Sequence, residues 1–233
     1  MRFVLILNNI AMVAADTTRT KYYINELIKN DLIPNYVLVL VNYSDQLLPG
    51  QKEDISENEL VTLLDREGIQ YGLAASSDIN NQKIVLELSV RQEEFIIFSG
   101  YGGVLLKDNI LSIQKKFLHI HGGYLPDYKG STTNYYSLIN ENTVGASAIF
   151  LTKEIDSGPI LLRKKFPPPT DRTEIDHKYD SEVRAKVLVE CLQNYVKLGD
   201  WNYEPQHNQV GDTFYIIHPV LKHLSILARE RLR

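Results

Sequence analysis

His119 and His121 stand two residues apart at the end of the apolar run Phe117-Leu118-His119-Ile120-His121. A carboxylate follows later, in Glu154-Ile155-Asp156-Ser157-Gly158. If the run is a strand, positions i and i+2 share a face, so both imidazoles point into one space. An imidazole with a carboxylate to orient it is the minimum needed to move a proton during acyl transfer to an amine. The competing readings are a metal pair and two hydrogen-bonded core histidines. A metal would want a third ligand, and only Asp156 or Asp127 is on offer, so no metal is expected. An Asp ahead of Ser-Gly is also a common turn former, so its value depends on reaching His121.

Glycines flank the same region. Gly122-Gly123 directly after the run lets the backbone approach a ligand or take a positive φ, or simply makes a tight turn. Gly100-Tyr101-Gly102-Gly103 after Phe98 allows the same pair of readings. It is not a dinucleotide fingerprint, lacking an acidic partner downstream, and there is no P-loop.

The elements that would position these residues come next. Buried strands are expected at 3–7, 36–41, 94–98 and 117–121, with helices at 18–29, 57–65 and 79–92. Continuous apolar strands separated by helices predict an α/β, Rossmann-like fold: a mostly parallel sheet with helices on both faces. Ligands in such sheets collect beyond the C-terminal ends of the strands, where 99–103 and 119–123 fall. Farther on, a helix at 132–140 and strands at 146–152 and 160–166 are expected. Pro167-Pro168-Pro169 ends the last of these, and a helix runs from Glu174 or Ser181 to Leu198. The tail carries Trp201, Tyr203, Phe214 and Tyr215, with Gly211-Asp212 as a turn, and reads as a short hairpin flap. The expected organisation is a core over 1–170 with a C-terminal helix and hairpin extension over 171–233 packed on it.

Composition narrows the class. With 44% hydrophobic residues, 23% charged and a net charge of −4, the chain lacks the clustered basic excess that nucleic acid requires. One cysteine, Cys191, excludes an internal disulfide and a zinc ribbon, and is expected to be a small buried residue. The N-terminal apolar run stops at Asn8 without a clean cleavage site, so it reads as a first strand rather than a signal peptide. No run of about 18 apolar residues exists to span a membrane. A cytoplasmic protein is expected.

Taken together, these segments resemble the formyltransferases that use 10-formyltetrahydrofolate. That family's motif runs Asn-x-His-x-x-x-Leu-Pro-x-x-x-Gly. Here the stretch reads His119-Ile120-His121-Gly122-Gly123-Tyr124-Leu125-Pro126-Asp127-Tyr128-Lys129-Gly130, with Gly145, Asp156, Gly158 and Ile160 following in matching order and spacing. The likeness covers 94–166, and the earlier part only through its strand-helix pattern. It implies 10-formyltetrahydrofolate as formyl donor, with His121 as catalytic acid/base and donor to the formyl group, and Asp156 orienting it. It also implies a pterin pocket lined by Tyr101, Gly102, Gly103, Val104 and Leu105, completed by Leu151, Thr152 and Ile155. The departure is His119, where the family carries Asn. A neutral imidazole keeps one N–H, so the donor role survives, a different carbonyl is handled, or catalysis has been lost.

Three branches of the family are disfavoured. Glycinamide-ribonucleotide formylation resembles the chain in length, but that branch has a glycine-rich loop after its first strand, and Leu7-Asn8-Asn9-Ile10-Ala11-Met12 has no glycine. Methionyl-tRNA formylation uses a sizeable C-terminal barrel and a basic surface, whereas 171–233 is short and nearly balanced in charge. The formyl-folate hydrolases carry an N-terminal regulatory domain that is not seen here. The sugar-nucleotide N-formyltransferases are the best match, which implies a small amine acceptor, an amino sugar linked to a nucleotide. Tyr124, Tyr128 and Lys129, with Tyr135 and Tyr136, would supply an aromatic platform and cationic contact, or would pack as an interface helix. The stretch 214–219 is expected to complete the core rather than close over the site. The tail's aromatic residues suit a homodimer contact equally well. The alternatives are transfer to a non-sugar amine, and a catalytically altered protein with a binding or assembly role.

Overall fold

The computed structural model describes residues 4–41, 58–206 and 211–228. Two compact units meet in the sequence at Leu118 and His119.

The first unit is built on strands β1 (Leu5–Ala15), β2 (Leu32–Leu40), β3 (Tyr71–Leu73) and β4 (Phe95–Ser99), and on the start of β5 (Lys116–His121), in the order β3-β2-β1-β4-β5. Each neighbouring pair is parallel. The chain returns between strands through helices α1 (Thr18–Lys29), α2 (Glu59–Arg66) and α3 (Gln82–Val90), and through a single turn, α4 (Asp108–Leu111). Met12, Val13, Ala14 and Ala15 are fully buried and all five residues of β4 are buried, as strands covered on both faces must be.

Two expectations are corrected here. The first strand was read as ending at Leu7, because Asn8-Asn9 looked like a terminator; Phe3 itself lies outside the described residues. In the structure β1 continues to Ala15 through a register irregularity between Leu7 and Ala11. The reason is local. Asn9 Oδ1 accepts from the Glu94 backbone N–H at 2.9 Å and Asn9 Nδ2 donates to Glu94 Oε2 at 3.3 Å, so the side chain stitches the irregular stretch to the neighbouring strand. The glycine-free segment 7–12 is therefore strand, and the turn after β1 is Asp16-Thr17, which also lacks glycine. Second, α3 is shorter than 79–92. Asn81 caps it by accepting from the Lys83 N–H at 3.0 Å. The read start of α2 at Glu57 also falls outside the described residues, and its cap is Asn58, which accepts from the Val61 N–H at 3.0 Å.

The second unit holds the end of β5, then β6 (Tyr128–Gly130), α5 (Thr133–Glu141), β7 (Val144–Phe150), β8 (Ile160–Phe166), α6 (Asp180–Leu198), β9 (Asp212–Phe214) and α7 (Pro219–Leu227). β5 neighbours β7, and β7 pairs antiparallel with β8. All seven β7 residues are buried, four of them the small Gly145, Ala146, Ser147 and Ala148. The α/β class with a mostly parallel sheet and flanking helices is as expected.

The expected hairpin is not formed among the described residues. β9 instead pairs parallel with β6, matching Lys129 to Thr213 across more than 80 residues of sequence. A helix then follows that was not anticipated, α7, with Pro219 in its first turn and His218 Nδ1 accepting from the Val220 N–H at 3.2 Å. The stretch 214–219 divides rather than completing the core. Ile217 is buried and Phe214 half-buried, while Tyr215 and Ile216 are about four-fifths exposed. Cys191 is buried, as expected, and burial pushes its thiol up to about 12. No helix among the described residues is long and apolar enough to cross a membrane.

Candidate active site

The C-terminal end of β5 is fixed from several directions. Arg184 Nη1 donates to the Ile120 carbonyl at 3.1 Å, and Thr133 Oγ1 donates to the Gly122 carbonyl. Ser147, fully buried on β7, donates to the Gly123 carbonyl at 2.7 Å and accepts from the Leu125 N–H at 3.0 Å. Asn134 accepts from the Gly145 N–H at 2.9 Å and donates to Asp180 Oδ1 at 2.9 Å. A buried serine and a buried asparagine thus satisfy the main chain of an irregular turn, as a buried loop requires. Neither was singled out in the sequence. Their signal was polar residues within otherwise apolar elements.

On this frame His121, 5% exposed, lies against Asp156, with Nδ1 3.3 Å from Oδ1. Its other nitrogen, Nε2, is 2.8 Å from the Tyr128 carbonyl oxygen. The second oxygen of Asp156 accepts from the Gly130 N–H at 2.8 Å. One short strand, β6, therefore supplies an acceptor to the histidine and a donor to the aspartate. Gly123 makes room for the arrangement: a Cβ there would lie 2.7 Å from both His121 Nε2 and the Tyr128 oxygen.

Asp156 holds a left-handed backbone, φ +51°, in the loop after β7, a conformation Asp tolerates better than most residues. Gln206 clasps that loop, donating to the carbonyls of Asp156 at 3.0 Å and Gly158 at 2.6 Å. Burial raises the Asp156 carboxyl. The hydrogen bond and charge of His121, the Gly130 N–H and the charge of His119 outweigh it and hold the group below the usual carboxylate range. His119, on the same face of β5, is half-buried and within charge range of Asp156. Among the described residues no cluster of three His, Cys, Asp or Glu could hold a metal ion.

The remaining expected site residues are placed less uniformly. Tyr128 is buried. Its ring stacks on Phe214 at 5.3 Å and its hydroxyl donates to Glu141 at 3.0 Å, so it offers the site its carbonyl rather than its ring. Burial, followed by the Asn140, Glu141 and Asp127 side chains, leaves its phenol at about 12. Tyr124 is half-buried, with Arg163 and Lys165 at 5.2 and 4.8 Å from its ring centroid. Lys129 is 6% exposed and meets no carboxylate or hydrogen-bond acceptor among the described residues. Tyr135 and Tyr136 are packing residues: Lys222 lies 4.8 Å over the first ring, and Phe214 stands 4.5 Å from the second.

The expected pterin-pocket residues fall in both units. In the first, Tyr101, Gly102, Gly103, Val104 and Leu105 follow β4, with Gly103 at φ +79° and open space beside both glycines. Ser99, where this loop starts, is anchored by Thr20 Oγ1 at 2.8 Å, and Arg19 donates to the Gly100 carbonyl. In the second, Leu151 packs on the cluster of Leu125, Ile149 and Ile160, while Thr152 and Ile155 are exposed.

Residues 8–190 match the family described as formyl transferase. The chain belongs to the formyl transferase family. Among curated relatives, the chain is 27% identical over 119 residues to a methionyl-tRNA formyltransferase of Moorella thermoacetica, covering 50% of this chain and 38% of that protein. It is 30% identical over 149 residues to the mitochondrial formyltetrahydrofolate deformylase 1 of Arabidopsis thaliana, covering 63% and 46%. The chain thus spans about half the length of the curated relatives it matches, or less. Its fold is similar to that of a sugar N-formyltransferase from a Shewanella species, with a TM-score of 0.59, 15% identity, and coverage of 94% and 86%. It is also similar to the N-formyltransferase from Helicobacter canadensis, solved with folinic acid and dTDP-3-aminofucose, with a TM-score of 0.53, 16% identity, and coverage of 90% and 71%.

Proposed function

We propose that this chain transfers a formyl group from 10-formyltetrahydrofolate to the amino group of an amino sugar linked to a nucleotide, using His121, Asp156 and His119. The observation that carries this reading is the buried His121–Asp156 pair, with His119 beside it on one strand end. The donor brings an activated formyl group. The chain must hold it, stabilise the oxyanion that develops as the amine attacks, and move one proton from the amine to the departing folate nitrogen. N–H groups fixed before the reaction stabilise that oxygen without reorganising. The ionised Asp156 keeps the neighbouring imidazole oriented and opposes its positive charge.

The residues present suit the donor. In the first unit Leu105, beyond β4, is 59% exposed, apolar surface of the kind a flat heterocycle covers. Gly102 and Gly103 leave backbone groups open to its polar edge. On the acceptor side, the Lys129 side chain is largely buried with no carboxylate beside it among the described residues, and its ammonium is complementary to an anionic ligand such as a diphosphate. Tyr124, with Arg163 and Lys165 near its ring, adds an aromatic face in a cationic setting. The two sugar N-formyltransferases of similar fold support this choice of acceptor.

The test is calorimetric titration with the stable analogue 5-formyltetrahydrofolate, followed by a formyl-transfer assay on dTDP-3-aminofucose and other amino-sugar nucleotides. Micromolar analogue binding with formylated product is expected. A folded chain that ignores millimolar analogue sinks the formyl-transfer reading.

A further inference from the structure

The aim of the Asp156 carboxylate depends on the loop that carries it. Its backbone is left-handed, φ +51°, and from there the side chain reaches His121 Nδ1 at 3.3 Å and the Gly130 N–H at 2.8 Å. A non-glycine residue in that conformation carries strain that its surroundings must offset. Gln206 supplies part of the offset. Its amide nitrogen has two hydrogens, and they go to two main-chain carbonyls of the loop, Asp156 at 3.0 Å and Gly158 at 2.6 Å. The reversed amide would set its oxygen against both carbonyl oxygens, so the orientation is settled. Gln206 is itself delivered by an anchored segment. Two residues before it, Glu204 exchanges main-chain hydrogen bonds of 2.8 Å with Ile160, the first residue of β8, in both directions. The Glu204 carboxylate meets Arg163 Nη2 at 3.3 Å, and Arg163 Nη1 donates to the Leu125 carbonyl at 2.8 Å. A side chain delivered from a fixed backbone has less freedom to lose, which favours its two hydrogen bonds.

The other support of the pair comes from farther along the same tail. β6 offers the Tyr128 carbonyl and the Gly130 N–H, and β6 is held in turn by β9, with the Ser131 N–H donating to the Phe214 carbonyl at 2.8 Å. Gln206 and β9 both lie beyond residues 8–190, the stretch that matches the family, whereas His121 and Asp156 lie within it. We propose that Gln206 is a positioning residue of the formyl-transfer site, which acts through Asp156 by fixing the loop that aims its carboxylate at His121 and Gly130. This role rests on the formyl-transfer reading. On that reading Asp156 orients the imidazole, and a misplacement of about 1 Å in a catalytic constellation can cost about 10²-fold in rate. Removing the Gln206 amide leaves two loop carbonyls without their donor beside a strained residue, so the carboxylate loses its aim while the fold persists. The tail after α6 is thereby part of the site rather than an appendage to it.

Hydrogen exchange and kinetics on the full chain test this. Without ligand, the Gly130 amide proton, held by Asp156 Oδ2, should exchange about tenfold faster in Gln206→Ala and Gln206→Glu than in the native chain. Glu keeps the size of the side chain and removes both donors. The Leu125 amide proton, held by Ser147, should keep its native rate. Unchanged exchange at Gly130 overturns the role, and so does equal acceleration at Leu125, which marks a general loosening. In formyl transfer to dTDP-3-aminofucose, each variant should lose about 10–100-fold in kcat, with KM for 10-formyltetrahydrofolate within about threefold of native. In an Asp156→Asn background, Gln206→Ala should remove less than about threefold more, because its effect runs through that carboxylate. Native kcat in both variants, or full additivity with Asp156→Asn, makes Gln206 a structural residue only. If the native chain binds 5-formyltetrahydrofolate but formylates no amino-sugar nucleotide, the acceptor reading fails. Exchange at Gly130 then still decides whether Gln206 aims Asp156.

Discussion

Among the described residues each unit buries one carboxylate in a hydrogen-bonded pair, and the two pairs differ in what the partner can do. In the first unit Glu93, 2% exposed, receives Arg91 through Nε at 3.0 Å and Nη2 at 2.7 Å, and Asn35 at 2.7 Å, while the guanidinium lies 3.6 Å over the Tyr36 ring. In the second, Asp156, 8% exposed, receives the His121 ring and the Gly130 N–H. Burial raises both carboxyls, and their donors bring both below the ordinary range. A guanidinium never yields its proton at working pH, so the first pair can only hold structure. An imidazole is a group that general acid–base chemistry uses, so the second can join in chemistry. Burial and a charged partner do not by themselves mark an active site; the chemistry open to the partner is what separates the two pairs.

Breaking one pair at a time should separate the two roles. The largest effect is expected for Asp156→Asn, which should lower kcat for formyl transfer by about 10²–10⁴-fold with a small change in melting temperature. A variant with native turnover would make Asp156 a turn residue only. Next, Glu93→Ala strands Arg91 and should cost roughly 3 kcal/mol in denaturant unfolding while turnover per folded molecule holds. A large loss of kcat there would erase the contrast. Gly123→Ala places a methyl between His121 Nε2 and its acceptor. It should cost about 1–3 kcal/mol and slow turnover as the contact between His121 and the Tyr128 carbonyl opens, read by unfolding and kinetics together.

The smallest effect is on acid stability, where the pairs should behave alike. Both folded-state carboxyls sit below their unfolded values of about 4, so the stability they add is complete above that pH. It is lost as the pH falls through the lower folded values. Asp156→Asn and Glu93→Gln should each flatten the fall in unfolding free energy below about pH 4. Steepening by either variant would reverse the sign assigned to that pair.

Side-chain chemistry was legible in the sequence and main-chain chemistry was not. The helix at 18–29 was bounded by readable signals, and β8 by Pro167. β1 was cut short because a polar Asn8-Asn9 pair looks like an ending unless its partner, 85 residues away at Glu94, is known. His121 and Asp156 were legible because side-chain types and their spacing can be read from a sequence. The Tyr128 carbonyl and Gly130 N–H were not, since every residue has such groups and only a fold aims them. β6 and β9 stayed hidden for a related reason. Each is three residues long, and neither shows an alternating pattern. The cap of α7, His218-Pro219, was in plain view and went unused.

The strand that sets the histidine and aspartate does so through peptide groups alone, so its side chains are released from that duty. Positions 127 and 129 can be exchanged without altering how the pair is gripped, provided the strand keeps its path beside β9. On the proposed function, such a scaffold lets the taste for an acceptor drift while the reaction stays the same, and laboratory evolution of new acceptors should begin there.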